Sequence, residues 1–285
     1  MPSKFERDTA VVEIGTLRYE GVVSPDWWVV AGPNGGYLAA IVTRALQAAF
    51  ATATRRMRSL SLHYLRPAVA GPIIVEIEVV KAGKLVTTVQ FFARQDSKLV
   101  MTGLSTFGVV LDAPSFSDAV APLAPPPVMV SGAEPGIETI PMGAQYDVIP
   151  CLGSVGSTQT GPNNHPEQGA SSEANRGSSD APSCLPAVTG GWIRLADPAP
   201  IDECVLAAYC DSWWPPVFHR INEPLAVPTV ELTLYFQASP TNPHGWVLGQ
   251  FQSTAAREGY IVETGELWDE SGALLATVHQ LAVLR

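Results

Sequence analysis

The stretch GPNGGYLAAIVTRALQAAF, residues 32–50, carries the clearest helix pattern in the chain. Its apolar side chains recur with the period of one helix face, at Leu38, Ile41, Val42, Ala45, Leu46, Ala49 and Phe50. Strand-like segments follow it. This order predicts a buried helix with a sheet wrapped around it, and the small Gly35 and Gly36 would let the sheet approach closely. We favour a tight turn into the helix for 32–36 over a phosphate-binding loop, because the Lys-Ser/Thr pair of a P-loop is missing.

The composition is that of a folded protein with a sizeable core, and it excludes some partners. Of 285 residues 46% are hydrophobic, and the formal net charge is −10 with 17 Lys and Arg. This balance argues against nucleic-acid binding through a basic face. No apolar run approaches the ~18 residues that would suggest a membrane span. We therefore expect no nucleic-acid partner and no membrane span.

The four cysteines do not indicate a metal site. They lack CxxC spacing, and there is no paired His motif. We favour free thiols in a reducing cytoplasm over a Cys151–Cys184 bridge across the loop between those residues. The start of the chain also lacks the apolar core of a signal peptide. Both features favour a cytoplasmic protein.

Strand patterns surround the helix in the first part of the chain. The residues alternate between apolar and polar, and turns with Gly, Pro or Asp separate the segments. Strands are predicted at 16–23, 58–65, 73–80, 85–94 and 99–111. A Pro-rich linker then follows over 113–143.

The second part repeats the order of the first. A strand at 144–150 precedes a polar insertion at about 151–188, rich in Ser, Gly and Asn. A strand at 191–195 and a helix over 201–213 follow, with four more strands at 229–237, 246–257, 260–268 and 273–284. Residues 98–102 match 273–277, and 38–40 match 206–208. These matches predict an internal duplication of units of about 100 residues.

Several segments together resemble the acyl-CoA thioesterase family of the double hotdog type. They are GPNGGY (32–37), LHYLRPA (62–68), GGWIRL (190–195), AYCDSWWPP (208–216) and TVHQ (277–280). The resemblance implies an α+β fold of two curved antiparallel sheets, each wrapping a long central helix. The domains would be an N-terminal hotdog over 1–112 and a C-terminal hotdog over 144–285.

The resemblance also implies the site. Matched residue by residue, the groups that hold the attacking water would be Asp211 on the second helix, Thr229 at the start of the next strand and Gln280 on the last strand. The first half has Thr43 and Ser105 where the second has Asp211 and Gln280. It would therefore lack an acid-base group, and one site per chain is expected.

Five residues are expected to contact substrate. The candidates are Gly35, Gly36, Tyr37, Trp213 and Arg66. The tryptophan could pack in the core or line an acyl tunnel. Arg66 could meet the CoA phosphates or be an ordinary surface arginine.

The chemistry that these residues fit is hydrolysis by an activated water. A carboxylate that is partly desolvated has a raised pKa, which suits a base, and Gln and Thr can orient one water between them. Backbone N–H groups at a helix start could stabilise an oxyanion. No cofactor is needed. A non-catalytic acyl-CoA or lipid-binding protein, and an enoyl-CoA hydratase or dehydratase, remain as alternatives. A homo-oligomer is expected from the resemblance alone.

Overall fold

A computed structural model describes residues 1–127, 140–153, 186–221 and 225–285. The first half of the chain contains two α-helices and six strands. They are, in order, α1 (Lys4–Asp8), β1 (Val11–Gly15), β2 (Arg18–Val23), α2 (Gly35–Phe50), β3 (Arg55–Tyr64), β4 (Gly71–Ala82), β5 (Val86–Gln95) and β6 (Lys98–Val109). The predicted helix and strands are present with small boundary shifts. The sequence patterns had not indicated α1 and β1.

The second half contains one α-helix and seven strands among the described residues. They are β7 (Tyr146–Gly153), β8 (Ala187–Leu195), α3 (Glu203–Tyr209), β9 (Thr229–Phe236), β10 (Val247–Ser253), β11 (Ala256–Arg257), β12 (Tyr260–Asp269) and β13 (Leu274–Val283). Most of the predicted insertion, residues 154–185 including Cys184, lies outside the described residues. Of the remaining residues of the predicted insertion, 151–153 belong to β7 and 187–188 to β8, and these two strands pair with each other. Within the described ranges, no helix is long and apolar enough to cross a membrane.

The expected two sheets are one continuous antiparallel sheet, which corrects the prediction. The strand order is β1-β2-β4-β5-β6-β3-β9-β13-β12-β10-β8-β7, with β11 added to β12. The halves join where β3 pairs with β9, from Ser59 opposite Tyr235 to His63 opposite Glu231. Each of these strands would otherwise be the edge of its own half, with unpaired backbone groups. Pairing them satisfies both edges.

The repeat predicted from the sequence is present in the strand order. Outward from the junction, β3, β6, β5, β4 and β2 are mirrored by β9, β13, β12, β10 and β8. At the junction Ser61 faces Thr233, and their hydroxyls lie 2.8 Å apart in a hydrogen bond. The strand orders of the two halves are therefore mirror images of each other on either side of the β3–β9 junction. The linker and domain boundaries remain predictions.

Helix α2 is buried on nearly all sides along its first three turns. Residues 36–43 are all buried, a wider surface than the single apolar stripe predicted. The additional cover comes from α3, which runs antiparallel to α2. Arg44 of α2 pairs with Asp202 at the start of α3 over 3.0 Å, and Gly36 of α2 lies against the end of α3. The two helices thus form one core between the two halves of the sheet.

The second helix is shorter than predicted. It ends at Tyr209 rather than at Trp213, so it is not a long central helix. The carbonyl of Ala208 accepts hydrogen bonds from the Ser212 hydroxyl (2.9 Å) and the Asp211 N–H (3.5 Å). Pro215 also disfavours helical geometry at the residue before it. Asp211 therefore lies in the turn after the helix and not on it.

Candidate active site

Asp211, in the second half of the chain, faces the N-terminus of α2, in the first half. The turn after α3 presents its carboxylate to the first residues of α2, where backbone N–H groups have no partner inside the helix. The positive end of a helix stabilises an anion at this position. One oxygen, Oδ2, accepts from the Gly36 N–H over 3.1 Å.

Asn34 connects the same helix terminus to Asp211. It is 4% exposed and is the N-cap of α2, where its Oδ1 accepts from the Tyr37 N–H over 2.9 Å. Its Nδ2 donates to the backbone oxygen of Asp211 at 2.6 Å and to the carboxylate at 3.2 Å. One side chain thus caps the helix and holds both the backbone and the side chain of Asp211.

Gln280 and Thr229 complete the group from the sheet. Gln280 lies on β13 and Thr229 begins β9. The Gln280 amide nitrogen donates to Asp211 Oδ1 over 3.2 Å and to the Thr229 hydroxyl over 2.5 Å. The three residues that the resemblance implied are therefore in mutual hydrogen-bond contact.

The pKa of Asp211 is raised to about 6. Desolvation by burial is the largest cause, and it disfavours the charged carboxylate. Hydrogen bonds from the backbone of Gly36 and Gly35 and from Gln280 and Thr229 act in the opposite direction and lower the pKa. The result is a carboxyl that is ionised near neutral pH and is still basic enough to accept a proton.

Gly35 and Gly36 allow other groups to approach α2 closely. The prediction was that these groups would come from the sheet, but some of them come from α3 and the turn after it. A Cβ on Gly36 would lie 2.6 Å from the carbonyl oxygen of Ala208, at the end of α3. A Cβ on Gly35 would lie 2.7 Å from Asp211 Oδ2 and 2.9 Å from the Tyr64 hydroxyl. Only residues without a side chain fit here.

The side chain of Tyr37 lies in the core, and its contact with substrate remains a prediction. Its side chain is fully buried and stacks on Trp27, with ring centroids 5.0 Å apart. Its hydroxyl donates to the carbonyl of Asp8 (2.7 Å) and accepts from the Ser24 N–H (3.1 Å). Because the first turn of α2 directs this side chain into the core, only its backbone lies near Asp211.

Trp213 and Arg66, the other two side chains expected to contact substrate, lie in different surroundings: the first packs against the core and the second is exposed. Trp213 follows Asp211 by two residues and packs against the core, and its indole N–H is buried without a hydrogen-bond partner among the described residues. Arg66 is exposed and donates to the carbonyl of Leu99 over 2.8 Å. No hydrogen bond or ion pair within the described chain joins Arg66 to Asp211. Its contact with substrate remains a prediction.

Three residues of this region were not indicated by the sequence reasoning. Asn34 had a signal, since Asn directly before a helix is a preferred N-cap, but its second role at Asp211 had none. The Tyr64 hydroxyl donates to the Gly35 carbonyl over 2.6 Å. Glu263, on β12, is buried directly opposite Gln280. The last two depend on strand pairing that local patterns do not reveal.

The first half has no equivalent group. The hydroxyl of Thr43 donates to the Ala39 carbonyl (2.8 Å), and that of Ser105 donates to the Ser59 carbonyl (2.9 Å). Both are buried and engaged by the backbone. Among the described residues no cluster of His, Cys, Asp or Glu could hold a metal ion.

Two family models match the chain, one in each half. The model described as "Acyl-CoA thioesterase N-terminal domain" matches residues 24–108. The model described as "Acyl-CoA thioesterase C-terminal domain" matches residues 156–284. Together they cover most of the sequence and include Gly36, Asp211, Thr229 and Gln280. No curated protein matches the sequence.

Solved structures agree with this assignment over the full length. A hotdog-fold protein of unknown function from Alicyclobacillus acidocaldarius is 26% identical with a TM-score of 0.83, covering 100% of this chain and 99% of its own. A protein from Thermobifida fusca named as a candidate thioesterase II is 26% identical with a TM-score of 0.77, covering 99% and 98%. An acyl-CoA thioesterase II, TesB2, from Mycobacterium marinum shares the fold at 19% identity, with a TM-score of 0.70 and the same coverage. The chain belongs to the type II acyl-CoA thioesterase-like family.

Proposed function

We propose that the protein hydrolyses fatty acyl-CoA to the free acid and CoA, with Asp211 as the general base. The observation that carries this proposal is the shared hydrogen bonding of Asp211, Gln280 and Thr229 at the N-terminus of α2. A base with a pKa of about 6 suits proton removal from water near neutral pH. The family assignment supplies the thioester as the reacting bond.

In the proposed reaction, water is the nucleophile. Asp211 takes a proton as the water oxygen forms a bond to the thioester carbonyl carbon, and a tetrahedral oxyanion results. When this intermediate collapses, the carbon–sulfur bond breaks and the CoA thiolate leaves. The proton taken by Asp211 returns to the products, which restores the carboxylate. Gln280 and Thr229 hold the water and the Asp211 carboxylate in the positions needed for proton transfer.

The oxyanion donor has to come from outside the first turn of α2. The N–H groups of Gly35 and Gly36 act on Asp211, and that of Tyr37 is bound by Asn34. These groups are therefore not open donors, in contrast to the expectation from the sequence.

Release of CoA from a panel of acyl-CoAs, detected with a thiol reagent, tests the proposal. Asp211→Asn should lower kcat by about 10²–10⁴-fold, because the amide cannot accept the proton. Asp118→Asn changes the same charge at an exposed position and serves as the matched control. If the wild-type protein binds acyl-CoA and releases no CoA at any chain length, a binding protein is indicated instead. Hydration of an enoyl-CoA would indicate the hydratase alternative.

Two further parts of the proposal concern the surroundings of the reaction. We propose that Arg66, which is exposed, meets the phosphates of CoA, and that the protein is a cytoplasmic homo-oligomer. Strands β1 and β7 end the described sheet, and such edges can pair across subunits. Light scattering of the purified protein measures the oligomer size directly.

A further inference from the structure

Glu263 is a buried carboxyl beside the candidate active site that the proposed reaction does not use. It is 5% exposed and lies on the inward face of β12. Its direct cross-strand partner on β13 is Gln280. Side chains in such a pair have Cβ atoms about 4.5–5.5 Å apart on the same face of the sheet. Its Oε1 is buried and has no hydrogen-bond partner among the described residues.

The surroundings of Glu263 favour its neutral form. Burial, which is the larger cause, and the negative charge of Asp211 together raise the pKa of Glu263 to about 8. Gln280 faces it from β13, and the site groups from β9 and from the start of α2, Thr229 and Asn34, are uncharged. Between about pH 6 and pH 8 the base is therefore ionised while Glu263 holds its proton.

The orientation of the Gln280 amide depends on what lies on its other side. Its nitrogen donates to both Asp211 and Thr229, so its oxygen is left as an acceptor. A protonated Glu263 can donate to that oxygen and hold this orientation. An ionised Glu263 can only accept, so it would compete with Asp211 and Thr229 for the amide N–H groups and turn the amide away from them.

We propose that Glu263 is a positioning residue that, when protonated, holds the Gln280 amide against Asp211 and Thr229, and that its deprotonation switches the site off. This inference rests on the proposed function, because the site that it regulates is the thioesterase site. The activity would then depend on pH through the contact between Glu263 on β12 and Gln280 on β13. Glu263 acts on Gln280 and not on the substrate.

The pH profile of kcat/KM tests the proposal. The wild-type rate should fall above about pH 8, as Glu263 loses its proton. In Glu263→Gln the side chain stays a donor, and the rate should remain level at high pH. Glu263→Leu should also lose the descending limb but have a rate about 10-fold lower, since one hydrogen bond to the amide is missing. A descending limb retained in both variants would overturn the proposal.

Glu266→Gln is the matched control. It makes the same change on the same strand, three residues away and on the opposite, outward face of the sheet. This variant should keep the wild-type profile, including the descending limb. If it also removes that limb, the effect belongs to the charge of the protein in general and the proposal fails.

A second measurement does not depend on catalysis. The side-chain amide resonances of Gln280, assigned by comparison with Gln280→Ala, should shift in the wild-type protein through about pH 8 and not in Glu263→Gln. If no acyl-CoA is hydrolysed but the shift is present, the proposed function is wrong and the positioning role stands. If CoA is released and the resonances do not move, the positioning role is wrong and the function stands.

Discussion

The backbone N–H of Gly36 donates to the carboxylate of Asp211 over 3.1 Å, although 175 positions separate the two residues. This bond joins the first half of the chain to the turn after the helix of the second. The N-terminus of α2 supplies a positive field, and the C-terminal turn of α3 supplies the anion. The candidate site therefore exists only when the two halves pack together.

The contact between α2 and α3 at Gly36 can be tested by one added methyl group. In Gly36→Ala the new Cβ would lie 2.6 Å from the Ala208 carbonyl oxygen and 2.9 Å from that of Ala207. Both are backbone atoms, so the helices must separate. We expect a loss of about 1–3 kcal/mol in the free energy of unfolding, measured in urea.

The control for this substitution is Gly32→Ala. No atom lies within 4 Å of the position that its Cβ would take. Its stability should stay within about 0.5 kcal/mol of the wild-type value. Ala is also the better helix former, so a Gly36→Ala variant as stable as the wild-type protein would contradict the close packing described for α2 and α3.

Asn34→Ser separates the two roles of the N-cap. Serine remains a good cap, so the helix itself should lose only a few tenths of a kcal/mol. The two donations to Asp211 disappear, one of them to the carboxylate. The ionised carboxylate is then less stabilised, so the ascending limb of the pH–rate profile should move to higher pH. An unchanged limb would show that Asn34 acts only as a cap.

The rate should rise with pH as Asp211 ionises, with a midpoint at about pH 6. Gln280 donates to this carboxylate and lowers its pKa, so Gln280→Leu should raise the midpoint. A bond to a charged group contributes roughly 1.5–3 kcal/mol, which corresponds to a shift of about one to two pH units. The profile of kcat/KM for the residual activity measures it, and Asp211→Asn should show no such limb.

Stability should decrease with pH because of Glu263. Its folded pKa of about 8 lies above the ordinary value of 4.5, so between these values the folded state holds a proton that the unfolded state has lost. The stabilisation is complete below the lower value and is lost as pH rises to the upper one. At about 1.4 kcal/mol per pKa unit, the loss is on the order of 4–5 kcal/mol.

This effect is measured as a difference between two proteins. Urea unfolding of the wild-type protein and Glu263→Gln, repeated across this pH range, removes the contribution of Asp211, which both retain. The free energy of unfolding of Glu263→Gln minus that of the wild-type protein should decrease steadily toward low pH, because only the wild-type protein is stabilised there. This difference should be constant above about pH 8. A constant difference across the range would mean that Glu263 is ionised in the folded state throughout.

The strand and helix positions were largely available from the sequence. The apolar period of residues 38–50 lies within α2, and the alternation in the other segments predicted eleven strand segments, each of which overlaps an observed strand. These patterns are local, because each depends on which face of one element is buried. Helix α1 and strand β1 were missed, since α1 has only five residues and β1 is mostly exposed.

The site could be predicted in part, through the resemblance. Asp211, Thr229 and Gln280 were implied, and they are in contact. Tyr37 was expected at the site, but the direction of its side chain depends on the rotation of α2 in the core. Tyr37 and Gly36 are adjacent in the sequence but lie on different faces of α2. The sequence therefore could not show that Gly36 contacts Asp211 while the Tyr37 side chain enters the core.

By itself, the sequence determined most of the elements and their repeated order, because these follow from local periodicity. The residues that could perform hydrolysis were implied by the family resemblance and not by periodicity. Only the tertiary structure decided that β3 and β9 join the halves into one sheet, that Gly36 and Asn34 hold Asp211, and that Glu263 lies buried opposite Gln280. Each of these is a contact between elements distant in the chain. Burial and register, which set the pKa of a carboxyl, arise only when those elements pack.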